Sequence, residues 1–216
     1  MREARFALHG HPLSMPTYKV ALMLRLCGLE FEEKEVDIFA PDFRRGVRSP
    51  EFLSVSRFGQ IPALIDRKLD LTLVQSNVIL TFLADEFRRF APRDRVERLQ
   101  VQEWMFFEAG RLFEGIAGLR YLSRFADGHP IVIENYRQHA VKQLVILDAA
   151  LDRREWLVSE QPTIADISLF ALTSYAGEIG FDLDRDNPSI AAWHRRIRHL
   201  EGFYPPILAD APIASG

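Results

Sequence analysis

GQIPAL at residues 59–64 decides, together with QSNVIL at residues 75–80, how this chain folds. A proline at the start of a strand cannot donate to the ladder, so the backbone groups of the preceding Ile61 remain available to an extended peptide ligand. The pair Gln75-Ser76 opens a helix, where amide and hydroxyl side chains lie beside backbone N–H groups that hold carboxylates. The two stretches therefore predict a ligand that is peptide-like and anionic.

Length and composition indicate a globular chain with one large core or two small ones. The 216 residues are 48% hydrophobic and 26% charged, with a net charge of −3. This balance gives no electrostatic footprint for nucleic acid, and no apolar run approaches the roughly 20 residues that span a bilayer. The charged start Met1–Arg5 lacks a following apolar segment, and the single Cys27 excludes an internal disulfide. We expect a cytoplasmic protein without nucleic acid or membrane as a partner.

Strand and helix patterns alternate in the first lobe. The predicted elements are a strand at 5–8, a helix at 18–26, strands at 31–36, 63–66 and 69–73, and a helix from 75 to about 87. Strand, helix, strand indicates a parallel crossover unit, and the second half adds a hairpin and a helix. The order predicts an α/β domain that resembles thioredoxin, βαβ-ββα, with a mixed four-stranded sheet.

Beyond Pro92 the hydrophobic spacing becomes helical throughout, which predicts an all-helical bundle. Charge rises and periodicity lapses near this proline, as in a linker. The predicted organisation is a thioredoxin-like domain at 1–85, a linker at 86–97 and an all-α domain at 98–216.

Two patterns in the second lobe favour structural roles. Thr163 and Asp166 stand three apart before an apolar run, which predicts a capping box rather than an acid catalyst. In the run at 194–199, His194 and His199 are five apart and therefore on different helix faces. We interpret this run as a solvated helix face, and we expect no metal site.

Several segments of the chain together resemble the cytosolic glutathione S-transferases of the serine type, as in bacteria. They are residues 8–14, 18–20, 49–53, 59–64, 75–76 and 162–167, which span nearly the whole chain. In that family the proline is cis, the residue before it pairs with the cysteinyl backbone of glutathione, and an acidic or amide residue followed by serine holds the γ-glutamyl end. The matching residues here are Ile61-Pro62 and Gln75-Ser76. The resemblance also implies a homodimer and glutathione as co-substrate.

The chemistry of glutathione requires a thiolate, because a free thiol with a pKa of about 8.5 is mostly protonated at pH 7. A hydroxyl at a helix start donates to the sulfur and places it at the positive end of the helix dipole. Ser14 is the predicted catalytic residue, with Thr17 as the alternative. A simple N-cap role for Ser14 remains open.

The resemblance assigns further ligand contacts and shows two departures from the family. Gln60 and Arg48 are predicted to meet the glycine carboxylate, although a solvated Arg48 is the alternative. Ser56-Arg57 replaces a common Asn-Pro pair, and Gln75 replaces a common acidic residue. No cysteine lies at the first strand exit, which argues against the mixed-disulfide chemistry of cysteine-type relatives.

A second-substrate pocket is predicted against the first helix of the bundle. Its predicted residues are Trp104, Phe107 and Arg111, with Tyr121 further along the helix and glycines thinning one side at positions 110, 115 and 118. Core packing of the aromatic stripe is the alternative.

The leading interpretation is an enzyme, a glutathione transferase that activates the glutathione thiol for attack on a small electrophile. One alternative is another glutathione-dependent reaction on the same scaffold, namely disulfide or peroxide reduction, isomerisation or dehalogenation. Another is a non-catalytic binding module, because a fold alone does not fix a reaction.

Overall fold

The chain forms two compact units. The computed structural model describes residues 3–40, 44 and 46–209, and the chain divides between Arg89 and Phe90. The first unit combines strands and helices, whereas every regular element described in the second unit is helical. No described helix is long and apolar enough to cross a membrane. The predicted fold class, a thioredoxin-like domain and an all-helical domain, is confirmed.

The first unit contains a mixed four-stranded sheet. Its elements are β1 (Phe6–Gly10), α1 (Met15–Leu26), β2 (Phe31–Glu35), a 3-10 helix (Gly46–Arg48), α2 (Pro50–Val55), β3 (Ala63–Asp66), β4 (Leu71–Val74) and α3 (Ser76–Phe87). The strand order is β2-β1-β3-β4, with β1 parallel to β2 and antiparallel to β3, and β3 antiparallel to β4. The last strand begins two residues later than predicted, because Asp70 takes a positive φ of 50° in the turn before it.

The strand register gathers three chain segments at one end of this sheet. His9 near the end of β1 faces Ala63 at the start of β3, and Ala63 faces Val74 at the end of β4. The loop after β1, the residues before β3 and the junction of β4 with α3 therefore lie at the same end. At the opposite end, the Arg5 guanidinium donates to the buried Asp66 carboxylate, with Nη2 to Oδ2 at 2.6 Å.

The second unit is built from six α-helices and two short helical segments among the residues described. They are α4 (Arg95–Phe107), a π-helical segment (Glu108–Leu112), α5 (Phe113–Arg124), α6 (Pro130–Leu151), α7 (Ile164–Thr173), a 3-10 helix (Ala176–Ile179), α8 (Leu183–Asp186) and α9 (Pro188–Arg198). Added Cβ atoms on Gly115 and Gly118 would lie 2.9 Å from the Ala140 nitrogen and 2.6 Å from the Tyr136 ring. These glycines permit the close approach of α5 to α6, whereas an added Cβ on Gly110 would meet nothing within 4 Å.

The segment between the units is short. Helix α3 ends at Phe87 and α4 begins at Arg95. The division of the chain falls within the predicted linker at 86–97, and the predicted domain limits, 1–85 and 98–216, stay predictions.

The buried Asp166 carboxylate organises the core of the second unit. The predicted capping box is present, with the Thr163 amide donating to Asp166 Oδ2 at 2.8 Å. Oδ1 of the same carboxylate accepts from the Leu157 amide and from the Trp193 indole, each at 3.0 Å. Burial raises the pKa of Asp166, and these hydrogen bonds oppose the rise. All three partner residues are buried, so the structural interpretation is confirmed.

The interpretation of residues 194–199 as a solvated face is wrong for His194. This side chain is buried on α9 beside Trp193, and its Nε2 lies 2.7 Å from the Thr173 hydroxyl. The Phe170 ring packs edge-on against it, with centroids 4.7 Å apart. The apolar face of α9 extends from Trp193 to Ile197, and His194 lies on that face, whereas His199 is exposed.

We expect His194 to make stability depend on pH. Burial first, and the Arg198 charge second, lower its pKa to about 3, from 6.5. Between pH 3 and pH 6.5, the unfolded chain therefore binds a proton at His194 that the native chain does not bind. The contribution of His194 to the free energy of unfolding is complete above pH 6.5. It is lost as the pH falls, by at most about 1.4 kcal/mol per pH unit.

Urea unfolding at pH 7 and pH 5 measures this dependence. His194→Gln should flatten the change in unfolding free energy between the two pH values, and His199→Gln, on the exposed side of the same helix, should leave it as in wild type. Equal pH dependence in wild type and His194→Gln would contradict the assignment.

Candidate functional site

The loop between β1 and α1 brings Ser14 to the shared end of the sheet. The Ser14 amide donates to the His11 carbonyl at 2.9 Å and closes a turn directly after β1. Gly10 lets α1 approach the strand end, because a Cβ there would lie 2.2 Å from Thr17 Cγ2. The first turn of α1, and Ser14 with it, is thus held against the end of an interior strand.

Ser14 has a geometry that suits both roles considered from the sequence. Its Oγ accepts from the Thr17 amide at 3.3 Å, which makes it the N-cap of α1. Within the described part of the chain, its hydroxyl proton has no acceptor. Because a hydroxyl accepts and donates at the same time, Ser14 can cap the helix and still donate to a ligand atom.

The neighbouring hydroxyls are less accessible than Ser14. Thr17 is 9% exposed, and its Oγ1 accepts from the His11 amide at 3.4 Å. Tyr18 is 4% exposed and packs in the core of the first unit. These positions favour Ser14 over Thr17 as the hydroxyl that meets a ligand.

Ile61 lies at the same end of the sheet, directly before β3. The Ile61–Pro62 peptide bond is cis, and Pro62 is buried. The β3 ladders begin at Ala63, and the Ile61 amide makes no hydrogen bond to any residue that the structure describes. The half-buried Ile61 can therefore offer its backbone groups to an extended ligand.

Ser56 closes the turn that leads to the cis bond, a role that the sequence did not reveal. Its buried hydroxyl donates to the Gln60 carbonyl at 2.8 Å and accepts from the Gln60 amide at 3.4 Å. Gly59 takes a φ of 58° in this turn, and a Cβ there would lie 2.9 Å from the Val47 carbonyl oxygen. Ser56 therefore supplies hydrogen bonds that hold a turn where relatives commonly carry Asn-Pro.

Helix α3 begins at the third segment of the shared end and has an incomplete cap. Gln75 occupies the N-cap position with a φ of 74° and makes no side-chain cap hydrogen bond. Its Nε2 instead donates to Gln60 Oε1 at 3.3 Å, so two predicted ligand residues lie together. The amides of Ser76 and Val78 donate to none of the described residues. An external acceptor, such as a carboxylate, would satisfy them.

Arg48 follows Val47, whose carbonyl lies against the turn at Gly59. It ends the 3-10 helix Gly46–Arg48 and is exposed. The neighbouring Val47 carbonyl packs against Gly59, as the close contact at that glycine shows. The residue before Arg48 thus packs against the residue before Gln60, and the predicted contact of Arg48 with the glycine carboxylate stays a prediction.

Lys19 and Asn77 form a contact that sequence analysis missed. Lys19 is 3% exposed on α1, and its Nζ donates to Asn77 Oδ1 on α3 at 2.9 Å. The available signal was a charged residue inside an apolar helical run, between Tyr18 and Val20. Such a residue is rarely buried without a polar partner.

The residues predicted to bind a second substrate belong to the second unit. Trp104 and Phe107 lie on α4, with their rings 5.5 Å apart in an edge-to-face contact. Arg111 lies in the π-helical segment and is exposed, and its guanidinium pairs with no carboxylate among the residues described. Tyr121 lies further on, in α5. A pocket at these residues stays a prediction.

The fold defines a thioredoxin-like protein with an additional helical domain, and one end of its sheet carries backbone donors that have no acceptor among the described residues. Two family models match the chain, the N-terminal domain of glutathione S-transferase over residues 4–85 and the C-terminal domain over residues 119–201. The chain belongs to the glutathione S-transferase family.

Three similar proteins illustrate the range of the family. The structure of a glutathione S-transferase from Pseudomonas fluorescens is 34% identical, with a TM-score of 0.84, over 94% of this chain and 98% of that one. A glutathione transferase of Phanerochaete chrysosporium, solved with oxidized glutathione, is 26% identical, with a TM-score of 0.84, over 92% of this chain and 93% of that one. A disulfide-bond oxidoreductase of Escherichia coli is 28% identical over 187 residues, 84% of this chain and 85% of its own.

Ser14→Ala should raise the pKa of a thiol bound at this site by about one unit, because the thiolate loses a donated hydrogen bond worth about 1.4 kcal/mol. It should also cost about 1 kcal/mol of stability, because the same oxygen caps α1. Thiolate absorbance of bound glutathione against pH measures the first effect, and thermal unfolding measures the second.

Asp94→Ala is the matched control, since Asp94 Oδ1 caps α4 by accepting from the Val96 amide at 2.8 Å. It should lower stability and leave the thiol pKa unchanged. If Ser14→Ala behaves in the same way as this control, Ser14 is a cap alone.

Proposed function

We propose that this chain is a cytoplasmic glutathione transferase that conjugates glutathione to a small electrophile, as in detoxification. The observation that carries the proposal is the convergence of three features at one end of the sheet. They are the Ser14 hydroxyl with a proton to donate, the Ile61 backbone before a cis proline, and the uncapped start of α3. Each suits a different part of an extended, anionic thiol peptide.

Glutathione would lie along these features with its cysteinyl backbone on Ile61. Its γ-glutamyl carboxylate would accept from the first amides of α3 and from Ser76, and Gln75 would bond the ammonium group through its amide oxygen. Gln60 and Arg48 would meet the glycine carboxylate. The thiol would then lie at Ser14, at the positive end of α1.

The proposed reaction begins with loss of the thiol proton to solvent. The thiolate, held by the Ser14 hydroxyl, attacks an electrophilic carbon; a C–S bond forms as the bond to the leaving group breaks, and the leaving group departs with its electron pair. Trp104, Phe107 and Arg111 are proposed to contact the electrophile.

A second candidate is glutathione-dependent disulfide reduction, which the name of the Escherichia coli relative favours. Bound glutathione would have to supply the nucleophilic thiolate, since Cys27 does not suit the role. Burial raises the Cys27 pKa to about 11, so this thiol stays protonated near neutral pH. Chlorodinitrobenzene turnover supports conjugation, whereas turnover of a glutathione mixed disulfide without conjugation selects reduction.

Glutathione should raise the melting temperature, because a ligand at one hundred times its dissociation constant stabilises the native state by about 2.7 kcal/mol. Ser76→Ala should weaken binding about tenfold or more, since it removes a hydrogen bond to a charged group. Thr81→Ala, which removes an exposed hydroxyl one turn further along α3, is the control. A wild-type protein unmoved by millimolar glutathione would leave only the non-catalytic alternative.

We further propose a homodimer with an isologous interface that buries more than about 1,000 Å² in total. The support is membership of the family. Sedimentation at micromolar concentration should give twice the 24.9 kDa chain mass. A single species of chain mass would refute this part of the proposal.

A further inference from the structure

Lys19 is a buried cation in a helix whose other buried residues are mostly apolar. The neighbouring residues Tyr18 and Val20 are also buried, and Lys19 itself is 3% exposed. Removing an ammonium group from water is costly unless polar partners replace the lost hydration. A residue kept there at such a cost requires an explanation beyond packing.

The contact of Lys19 joins the starts of two helices. Lys19 lies on α1, five residues after the Ser14 cap, and Asn77 is the second residue of α3, directly after Ser76. Nζ of Lys19 donates to Oδ1 of Asn77 at 2.9 Å where α1 packs against α3. The bond therefore links the helix that carries Ser14 to the helix start that carries Ser76.

The start of α3 has few constraints of its own. Gln75 provides no side-chain cap, and its φ of 74° is unfavourable for a residue other than glycine. A helix end without a cap frays. A hydrogen bond at the second residue of α3 limits that fraying and fixes the direction of the nearby amides.

We infer that Lys19 is a positioning residue, which acts through Asn77 to hold the start of α3 in place for a ligand. The ligand part of this inference rests on the proposed glutathione site. The ammonium charge adds a favourable potential for the two anions expected there, the thiolate near Ser14 and the carboxylate near Ser76.

Lys19→Met tests the inference against Arg25→Met. Arg25 lies on the same helix, exposed, and bonds Glu33 at 3.2 Å, so both variants remove one positive charge from α1. Amide hydrogen exchange at residues 79–81 without ligand reports on positioning, because the Ile79 amide, which donates to the Gln75 carbonyl at 3.0 Å, is exposed to exchange only when the start of α3 opens. We expect about tenfold faster exchange in Lys19→Met and none of this change in Arg25→Met.

Glutathione titration then reports on the ligand. Lys19→Met should raise the dissociation constant of glutathione about tenfold, because the charge-assisted bond from Lys19 to Asn77 is lost. It should also raise the pKa of the bound thiol, because a nearby cation is removed. Asn77→Ala should give the faster exchange and weaker binding while leaving that pKa near the wild-type value, because the cation remains. If Lys19→Met does not fold, Asn77→Ala replaces it in the comparison of exchange rates with Arg25→Met.

The outcomes separate the two proposals. Equal exchange at the start of α3 in Lys19→Met and Arg25→Met overturns the positioning role, whatever glutathione does. Faster exchange in Lys19→Met with no glutathione binding to wild type overturns the proposed function and leaves the positioning role supported.

Discussion

The backbone N–H groups at helix starts have no acceptor within their own helix, and the first unit depends on how two such starts are satisfied. In α1, Pro16 has no N–H group and the Thr17 amide donates to Ser14. That start is nearly complete within the chain. In α3 the corresponding amides of Ser76 and Val78 lack an acceptor among the described residues. The same physical requirement thus produces a cap at one helix and, at the other, leaves amide donors for the proposed ligand.

Several buried polar groups of the second unit have their hydrogen-bond partners within that unit. Asp166 receives donors from Thr163, Leu157 and Trp193, which join three parts of the bundle. Arg120 pairs with Glu178, both nearly inaccessible to solvent, and Arg124 donates to the Glu178 carbonyl at 2.6 Å. Buried charges arranged in this way can maintain a specific packing.

Sequence patterns predicted the fold because local and distant signals agreed. The strand-helix alternation and the Thr163–Asp166 box identified their elements closely, since turn and cap chemistry acts over a few residues. The burial of His194 was missed, because its charged neighbours in the sequence indicated a solvated helix face. Lys19 and Asn77 are 58 positions apart, so only the packing of α1 on α3 reveals their contact. Ser56 was noted as a departure, but its bonds to Gln60 depend on turn geometry that spacing does not specify.

The charges at the two ends of the sheet bear on the anionic ligand that is proposed for one of them. At the far end, Asp66 and Glu86 are both held by Arg5, at 2.6 and 2.7 Å, so their charges are compensated there. Burial raises the pKa of Asp66, but the Arg5 hydrogen bonds and charge, together with hydrogen bonds from the Lys68 and Leu69 amides, outweigh burial and lower that pKa. At the near end, helix starts and the Lys19 ammonium contribute positive potential. The topology thus places Asp66 and Glu86 at the end of the sheet opposite the two helix starts, so these carboxylates do not oppose the thiolate of the proposed site.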